Sequence, residues 1–304
     1  MTRVVVMGAG AVGATYGLHL QRGGAHLTFL VREKYADEVR RGIRMWHKDE
    51  AFTLVPDAVI TDFSQIDHAD QVWLSIPSTG IDDAGLRRLG ELSGDATVID
   101  LMPDPAFRTA KMIGKARVVE GTIPIIAYQT PLAGTDEEGR EPAIAYWLPP
   151  GSATPLAGAR AAACAEALKK GGMRARVVKA QAEMREFVGV VLMSIIWHIE
   201  AAGWNMKAGV RAVDAAAAEL MEIIARDTGH KPPAPLQLLK QPWVVRAIFA
   251  IAPTVMPLPL EAYIRYHFTK VGEQSHANLR QLVQRADVLK LDVPHVRALA
   301  KKIL

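Results

Sequence analysis

The chain opens Thr2-Arg3-Val4-Val5-Val6-Met7-Gly8-Ala9-Gly10-Ala11-Val12-Gly13, and this stretch decides the fold. Residues 2–7 form an apolar run of strand character. It passes into GxGxxG, then into a helical pattern from Ala14 to Arg22, then into a second strand from His26 to Val31. Strand, glycine turn, helix and strand in that order are the setting a dinucleotide fingerprint requires. Gly8 permits the tight turn, Gly10 lets the backbone approach a pyrophosphate, and Gly13 lets the helix lie close to the sheet. The helix start supplies unpaired N–H groups and a positive dipole to the phosphates.

The second strand runs into Val31-Arg32-Glu33-Lys34. An NAD site usually carries Asp or Glu here, accepting hydrogen bonds from the ribose 2′-OH. Arg32 can instead grip a 2′-phosphate through paired N–H donors, and Lys34 adds charge. The expected cofactor is therefore NADP(H). If the strand ended one residue later, Glu33 would take the NAD role. The plainer reading of Arg32 is a solvated surface arginine.

With 304 residues the chain is long enough for two domains and a sizeable core. Half of it is apolar and 22% charged, as in ordinary globular proteins. The net charge of +4 is mild and the basic residues are scattered, so no nucleic-acid partner is expected. Cys164 is the sole cysteine, which excludes an internal disulfide and a cysteine-based zinc site. No His/Asp/Glu set has metal-binding spacing, and there is no GxSxG elbow or Walker lysine. No signal peptide is visible. The most apolar later run, residues 187–199, is shorter than the roughly 20 residues a bilayer demands. A cytoplasmic protein without a membrane partner is expected.

Strand and helix patterns alternate through the first half. Strands are expected at 70–77, 97–102, 117–120, 122–128, 143–148 and 174–178. Helices are expected at 81–92, 106–113 and, alanine-rich, at 155–170, with a polar turn at 134–141. Such alternation implies a mostly parallel sheet with helices on both faces. After Lys179 helical periods dominate, at 181–205, 210–228, 235–249 and 272–291, with a last short helix from Pro294. Prolines 232, 233 and 235 break one junction and prolines 253, 257 and 259 another. The expected plan is α/β: an N-terminal Rossmann dinucleotide-binding domain over residues 1–179, then an all-helical domain over 180–304. The helical domain is expected to cover the carboxyl edge of the sheet, make a cleft there, and support a homodimer.

On Gly8-Ala9-Gly10-Ala11-Val12-Gly13-Ala14-Thr15-Tyr16-Gly17, Val31-Arg32, Gly42-Ile43-Arg44-Met45 and the closing Leu289-Lys290-Leu291-Asp292-Val293-Pro294, the chain resembles the ketopantoate reductases. The resemblance spans nearly the whole length. It implies a Rossmann domain joined to a helical domain, with hydride passing from NADPH to a small 2-oxo acid. It also implies that the main chain around Ser75, Pro77 and Met102–Asp104 borders the nicotinamide ribose. Ala9, Ala11 and Val12 join Gly8, Gly10, Gly13, Arg32 and Lys34 in the cofactor set.

The family's catalytic side chains do not carry over. Its lysine after the strand ending here at Ile76 is replaced by Pro77, and its Gln-Asn-Gly reads Met102-Pro103-Asp104. Its helical lysine and two asparagines become Arg185, Gly189 and Met193 in one register, or Glu186, Val190 and Ser194 in the next. The glutamate that would grip the substrate hydroxyls falls near His276, with Glu273 close by. Reduction of a carbonyl still needs a proton donor. Glu186, Ser194 and His198 share one broad helix face by spacing, so His198 could donate and Glu186 orient it. Glu273 and His276 form a second candidate pair, and Lys270 could meet a substrate carboxylate or simply pair with Glu273. Arg185 suits a carboxylate but not proton donation. Trp197, Trp204, Tyr263, Tyr266 and Phe268 would line an apolar cleft or pack a core. The expected function is NADPH-dependent reduction of a carbonyl or imine. True ketopantoate reduction with a rearranged acid, and NADP binding without catalysis, stand as alternatives.

Overall fold

The computed structural model describes residues 1–47, 50–102, 108–137, 141–179 and 182–304, with the side chains of 182–185 outside that description. The chain divides into two compact units. One comprises Met1–Pro131 and Gly139–Gln181; the other comprises Leu132–Glu138 and Ala182–Leu304.

The first unit contains, in chain order, β1 (Arg3–Met7), α1 (Ala11–Arg22), β2 (His26–Leu30), α2 (Glu33–Arg41), β3 (Ile43–His47), β4 (Glu50–Leu54), β5 (Ala58–Ile60), β6 (Gln71–Leu74), α3 (Asp83–Leu92), β7 (Thr97–Asp100), α4 (Arg108–Ile113), β8 (Val118–Gly121), β9 (Ile126–Thr130), β10 (Ala143–Trp147), β11 (Thr154–Ala157), α5 (Ala161–Lys170) and β12 (Ala175–Val177). Eight strands make one sheet in the order β12-β11-β8-β7-β6-β1-β2-β5. All neighbours in it are parallel except β11 and β8. From β1 the chain steps outward to β2 and β5, then returns to β6 on the other side of β1. Strand order therefore reverses between β1 and β6, where open α/β sheets hold ligands beyond the strand ends.

Both faces of this sheet are covered, so its strands are apolar on both sides. Val4 and Val6 pack with Tyr16, Leu27, Phe29 and Trp73 on one face. Val5 packs with Leu74, Leu86, Leu89 and Val98 on the other. Tyr16 of α1 stacks on Trp73 at 5.6 Å between ring centroids, and its hydroxyl meets Thr154 Oγ1 at 3.0 Å.

The single alternation expected from the sequence gives way to two sheets. β3, β4, β9 and β10 form a separate sheet in the order β4-β3-β10-β9. The alanine-rich helix expected from Pro155 starts only at Ala161. Residues 154–157 instead form β11, whose buried Leu156 pairs across to Gly121 and Val177. Gly158 turns the chain between strand and helix at φ +139°, a conformation other residues rarely adopt.

The second unit contains α6 (Ala182–Ala201), α7 (Met206–Ala212), α8 (Ala216–Thr228), α9 (Ala234–Gln237), α10 (Pro242–Val255), α11 (Leu260–Lys270), α12 (Gly272–Val288) and α13 (Pro294–Ile303). Phe187, Val191 and Trp197 of α6 pack with Leu220, Met221, Leu279, Leu282 and Val296. The helix expected over 210–228 is two helices, because Asp214 Oδ1 accepts the Ala216 N–H at 2.8 Å and starts a new one. The helix expected over 235–249 is likewise α9 and α10 with a short 3₁₀ turn between them. Pro253 does not break the chain; it sits in the last turn of α10, where it removes one i→i−4 hydrogen bond only two residues before the helix ends. Among the described residues, no single helix is long and apolar enough to cross a membrane.

Candidate functional site

The glycine turn joins β1 to α1. Gly8 has φ +95°, donates its N–H to Leu30 O at 2.9 Å, and leaves no room for a side chain beside Ile76 Cγ2. At Gly13 a Cβ would run into Gly8 O and Ser75 Oγ, so the first turn of α1 rests directly on the loop. Gly10 differs from both. It is exposed, and no heavy atom lies within 4 Å of where its Cβ would be. Gly10 is also the N-cap of α1, which has neither a side-chain cap nor an acid in its first turn. The result is an open approach to a positive helix end, flanked by the half-buried Ala9, Ala11 and Val12.

Ser75 follows β6 on the opposite side of the strand-order reversal. Its Oγ donates to Met7 O at 2.8 Å and Gly8 O at 3.1 Å, and its N–H donates to Met7 O. Ser75 thus braces the glycine turn. Pro77 is exposed and starts the 3₁₀ turn Ser78–Gly80. Arg108 holds this loop, donating to Ser78 O at 2.6 Å and pairing with Asp83 at 3.1 Å. Met102 is fully buried in the core; its N–H donates to Asp100 Oδ1 at 2.8 Å. Its side chain is therefore packing, and only its backbone could meet a ligand. Pro103 and Asp104 lie outside the described residues.

Arg32 follows β2 directly and is the N-cap of α2; Glu33 is already the first helical residue. Arg32 Cζ lies 5.2 Å and Lys34 Nζ 4.8 Å from the centroid of the Tyr35 ring. Two exposed cations thus gather at one exposed aromatic ring, at the position where a ribose 2′-substituent is read. The glycine turn and these cations fit a phosphorylated dinucleotide. Tyr35 has no signal in the fingerprint itself; it emerges because α2 starts at Glu33 and carries Tyr35 back under Arg32.

The structure does not assemble the proton-donor sets expected from helix spacing. His198 is buried, donates from Nδ1 to Ser194 O at 2.7 Å, and has Nε2 3.4 Å from Asp214 Oδ1. Ser194 Oγ is buried without a hydrogen-bond partner. Glu186 pairs with Arg285 at 3.3 Å, and Arg285 also pairs with Asp227. Glu186 and His198 share a helix but sit about 18 Å apart along its axis, at 1.5 Å rise per residue. Glu273 is exposed, whereas His276 meets Glu200 Oε1 at 2.8 Å. Glu273 and His276 are thus not partners. Lys270 lies near the Tyr266 ring at 6.0 Å. The Arg185 side chain lies outside the described residues. Trp197 is fully buried with its Nε1 donating to Ser275 Oγ at 2.9 Å, a core position. Trp204, Tyr263 and Phe268 pack against the apolar cluster around Ile195, Ile199 and Ile264, whereas Tyr266 is exposed. Asp214, Glu200 and Arg285 are the partners that the sequence reading missed; each is distant in sequence from the residue it meets.

Asp214 also takes His295 Nδ1 at 2.9 Å. Burial works to raise the Asp214 carboxyl, but the Ala216 N–H and the two histidines outweigh it and hold it below the ordinary carboxylate range. The hydrogen bond that His295 donates to Asp214 in turn raises the His295 imidazole.

A family model described as "Ketopantoate reductase PanE/ApbA" matches residues 4–130. No curated protein matches the chain by sequence. Among solved structures, 2-dehydropantoate 2-reductase from Porphyromonas gingivalis W83 superposes with a TM-score of 0.71 at 14% identity, covering 99% of this chain and 98% of that one. D-mandelate dehydrogenase, solved with NADH and anilino(oxo)acetate, gives 0.73 at 14% identity, over 99% and 97%. A PanE/ApbA family ketopantoate reductase from Ralstonia eutropha JMP134 gives 0.68 at 18% identity, over 99% and 97%. The family match thus falls within the first unit, and the solved structures share this chain's fold, a dinucleotide-type unit followed by a helical one, over nearly its whole length.

Proposed function

We propose that this protein is an NADPH-dependent reductase of the ketopantoate reductase type, acting on a carbonyl or imine compound. The observation that carries this reading is the combination of the open backbone at Gly10 with the Arg32–Lys34 pair on Tyr35. The backbone N–H groups at the start of α1 bind the pyrophosphate, and Gly10 lets it come close. Arg32 and Lys34 take the 2′-phosphate through charge-assisted hydrogen bonds. Ser75 and Arg108 hold the loops beside the glycine turn in fixed positions. When bound, the reduced nicotinamide supplies a hydride.

The substrate differs from ketopantoate in this reading, because Pro77 and the residues 185–194 replace the side chains that the resemblance calls for. The names of the structural neighbours support a breadth of small acids, since one is a mandelate dehydrogenase.

Fluorescence titration with NADPH and NADH tests the cofactor. Arg32→Asp is expected to weaken NADPH about 10- to 100-fold, the worth of a lost charged hydrogen bond, while leaving NADH binding largely unchanged. Unaltered NADPH binding in Arg32→Asp sinks the phosphate assignment. Adding ketopantoate, other 2-oxo acids and cyclic imines to the NADPH complex then tests turnover by absorbance. Oxidation with ketopantoate restores the family reaction. Tight binding without oxidation by any compound favours a nucleotide-binding protein without catalysis.

A further inference from the structure

α2 buries only Ala36 and Val39. Tyr35 is not part of that anchor, since 39% of it is exposed. Its ring contributes little to the core, so its neighbours decide what it does. The Tyr35 N–H donates to Arg32 O at 2.9 Å and closes the first turn of α2. Three residues apart on one helical turn, Arg32 and Tyr35 are side-chain neighbours. Arg32 Cζ at 5.2 Å and Lys34 Nζ at 4.8 Å from the ring centroid both lie where an aromatic quadrupole attracts a cation.

The nearby carboxylates do not neutralise these cations. Asp37 pairs with Arg40 at 2.8 Å. Among the described residues neither Arg32 nor Lys34 forms an ion pair, although Glu33 stands between them in the chain. Two like charges held at one ring repel each other. The ring keeps them together without cancelling their charge. Such a pair is set for an anion, and a doubly charged one relieves the repulsion best. A phosphate monoester has its second ionisation near pH 6, at about neutral pH carries close to two negative charges, and offers three acceptor oxygens. A ribose hydroxyl offers neither the charge nor the oxygens.

We propose that Tyr35 sets the preference for a phosphorylated over an unphosphorylated nicotinamide dinucleotide. It is a positioning residue. It holds the Arg32 guanidinium and the Lys34 ammonium side by side and clear of Glu33 and Asp37, and the two cations meet the phosphate. Without the ring each cation returns to the many rotamers of a long solvated side chain, and ordering both on binding costs entropy. Glu33 then competes for either. The inference rests on the nucleotide reading above and adds to it the residue that makes two surface cations into a site.

Fluorescence titration of the full chain with NADPH and with NADH tests it, in wild type, Tyr35→Phe and Tyr35→Leu. Phe keeps the ring and drops the hydroxyl; Leu keeps an apolar side chain and drops the ring. The preference for NADPH, read as the ratio of the two dissociation constants, should fall about five- to tenfold in Tyr35→Leu, in line with the loss of two exposed cation–π contacts. In Tyr35→Phe it should stay within about twofold of wild type, because the ring remains. Circular dichroism checks folding, and Tyr35→Gln takes the place of Tyr35→Leu if that variant does not fold. A wild type that binds both nucleotides equally, or neither, fails the nucleotide reading and this inference with it. A wild type that prefers NADPH, with the preference intact in Tyr35→Leu, overturns this inference alone. So does a loss in Tyr35→Phe as large as in Tyr35→Leu, which would make the hydroxyl a direct phosphate ligand. Equal weakening of NADPH and NADH by Tyr35→Leu overturns it too, being the mark of a role in the shape of the loop.

Discussion

Gly10 and Gly13 differ in what a side chain would meet. At Gly13 the obstacle is the protein itself, since Gly8 O and Ser75 Oγ occupy the space. At Gly10 the space is empty and the backbone, at φ −73°, suits any residue. A side chain there should disturb only a ligand. Gly10→Val is expected to keep the wild-type circular dichroism spectrum and melting temperature within a few degrees, yet to lose at least about tenfold in NADPH affinity. Titration beside a thermal melt checks both halves. Gly13→Ala should lower the melting temperature itself. The glycine turn, the start of α1 and the place of Arg32 at a strand end were legible in sequence because each is local. The Ser75 brace, the Arg108 clasp and the Tyr35 platform were not, because each depends on how chain segments meet. His198 illustrates the converse. Its helix spacing suggested a partner in Glu186, but tertiary packing supplied Asp214 from the α7–α8 junction instead.

Among the elements, α13 shows most clearly how charge fixes a helix in place. Its first turn has no side-chain cap of its own. Glu219 of α8 accepts the His295 N–H at 3.2 Å and the Val296 N–H at 2.8 Å, and Asp214 takes the His295 ring. The groups facing His295 are thus Asp214 and Glu219, with His198 on the far side of Asp214. The raised His295 imidazole contributes stability that is present below its unfolded range and is lost as pH rises through its folded value. The depressed Asp214 carboxyl contributes stability present above the ordinary carboxylate range and lost as pH falls through its folded value. Docking of α13 should be firmest between those limits. Amide exchange in its first turn, corrected for intrinsic rates, should be faster at alkaline pH than near neutrality, and His295→Gln should abolish the difference. A pH-independent rate in wild type would refute this. Element type was read well where period and punctuation agreed, as in β1, α1 and the Pro294 start of α13. It failed where punctuation was equivocal. Pro155 and the alanines after it suggested one helix, while the pairing of Leu156 made a strand. Pro253 suggested a break but lies inside α10, whose helix runs two residues past it.

At the scale of the molecule there are two units, each with its own core. The residues proposed to hold the nucleotide, Gly8, Gly10, Arg32 and Ser75, all lie in the first unit. Saturating NADPH at about 100 times its dissociation constant adds roughly 2.7 kcal/mol to whatever unfolds with that site. Calorimetry should therefore resolve two transitions in the free protein, with NADPH raising one by several degrees more than the other. Equal shifts would mean that both units unfold together. The division into an α/β unit and a helical unit was legible because strand patterns cease near Lys179. The second sheet was not, since nothing local announces that β3 will pair with β10.

That pairing sets Met45 beside Ile144 and Trp46 beside Ala145. Contacts between residues so distant along the chain carry a high loop-closure cost and form late. During synthesis the β3–β4 hairpin must wait for its neighbour with an open strand edge, a condition that invites pairing with other chains. The stretch that resembles a known family, residues 4–130, ends before that neighbour arrives. What sequence comparison recognises as a unit is thus not what folds as one.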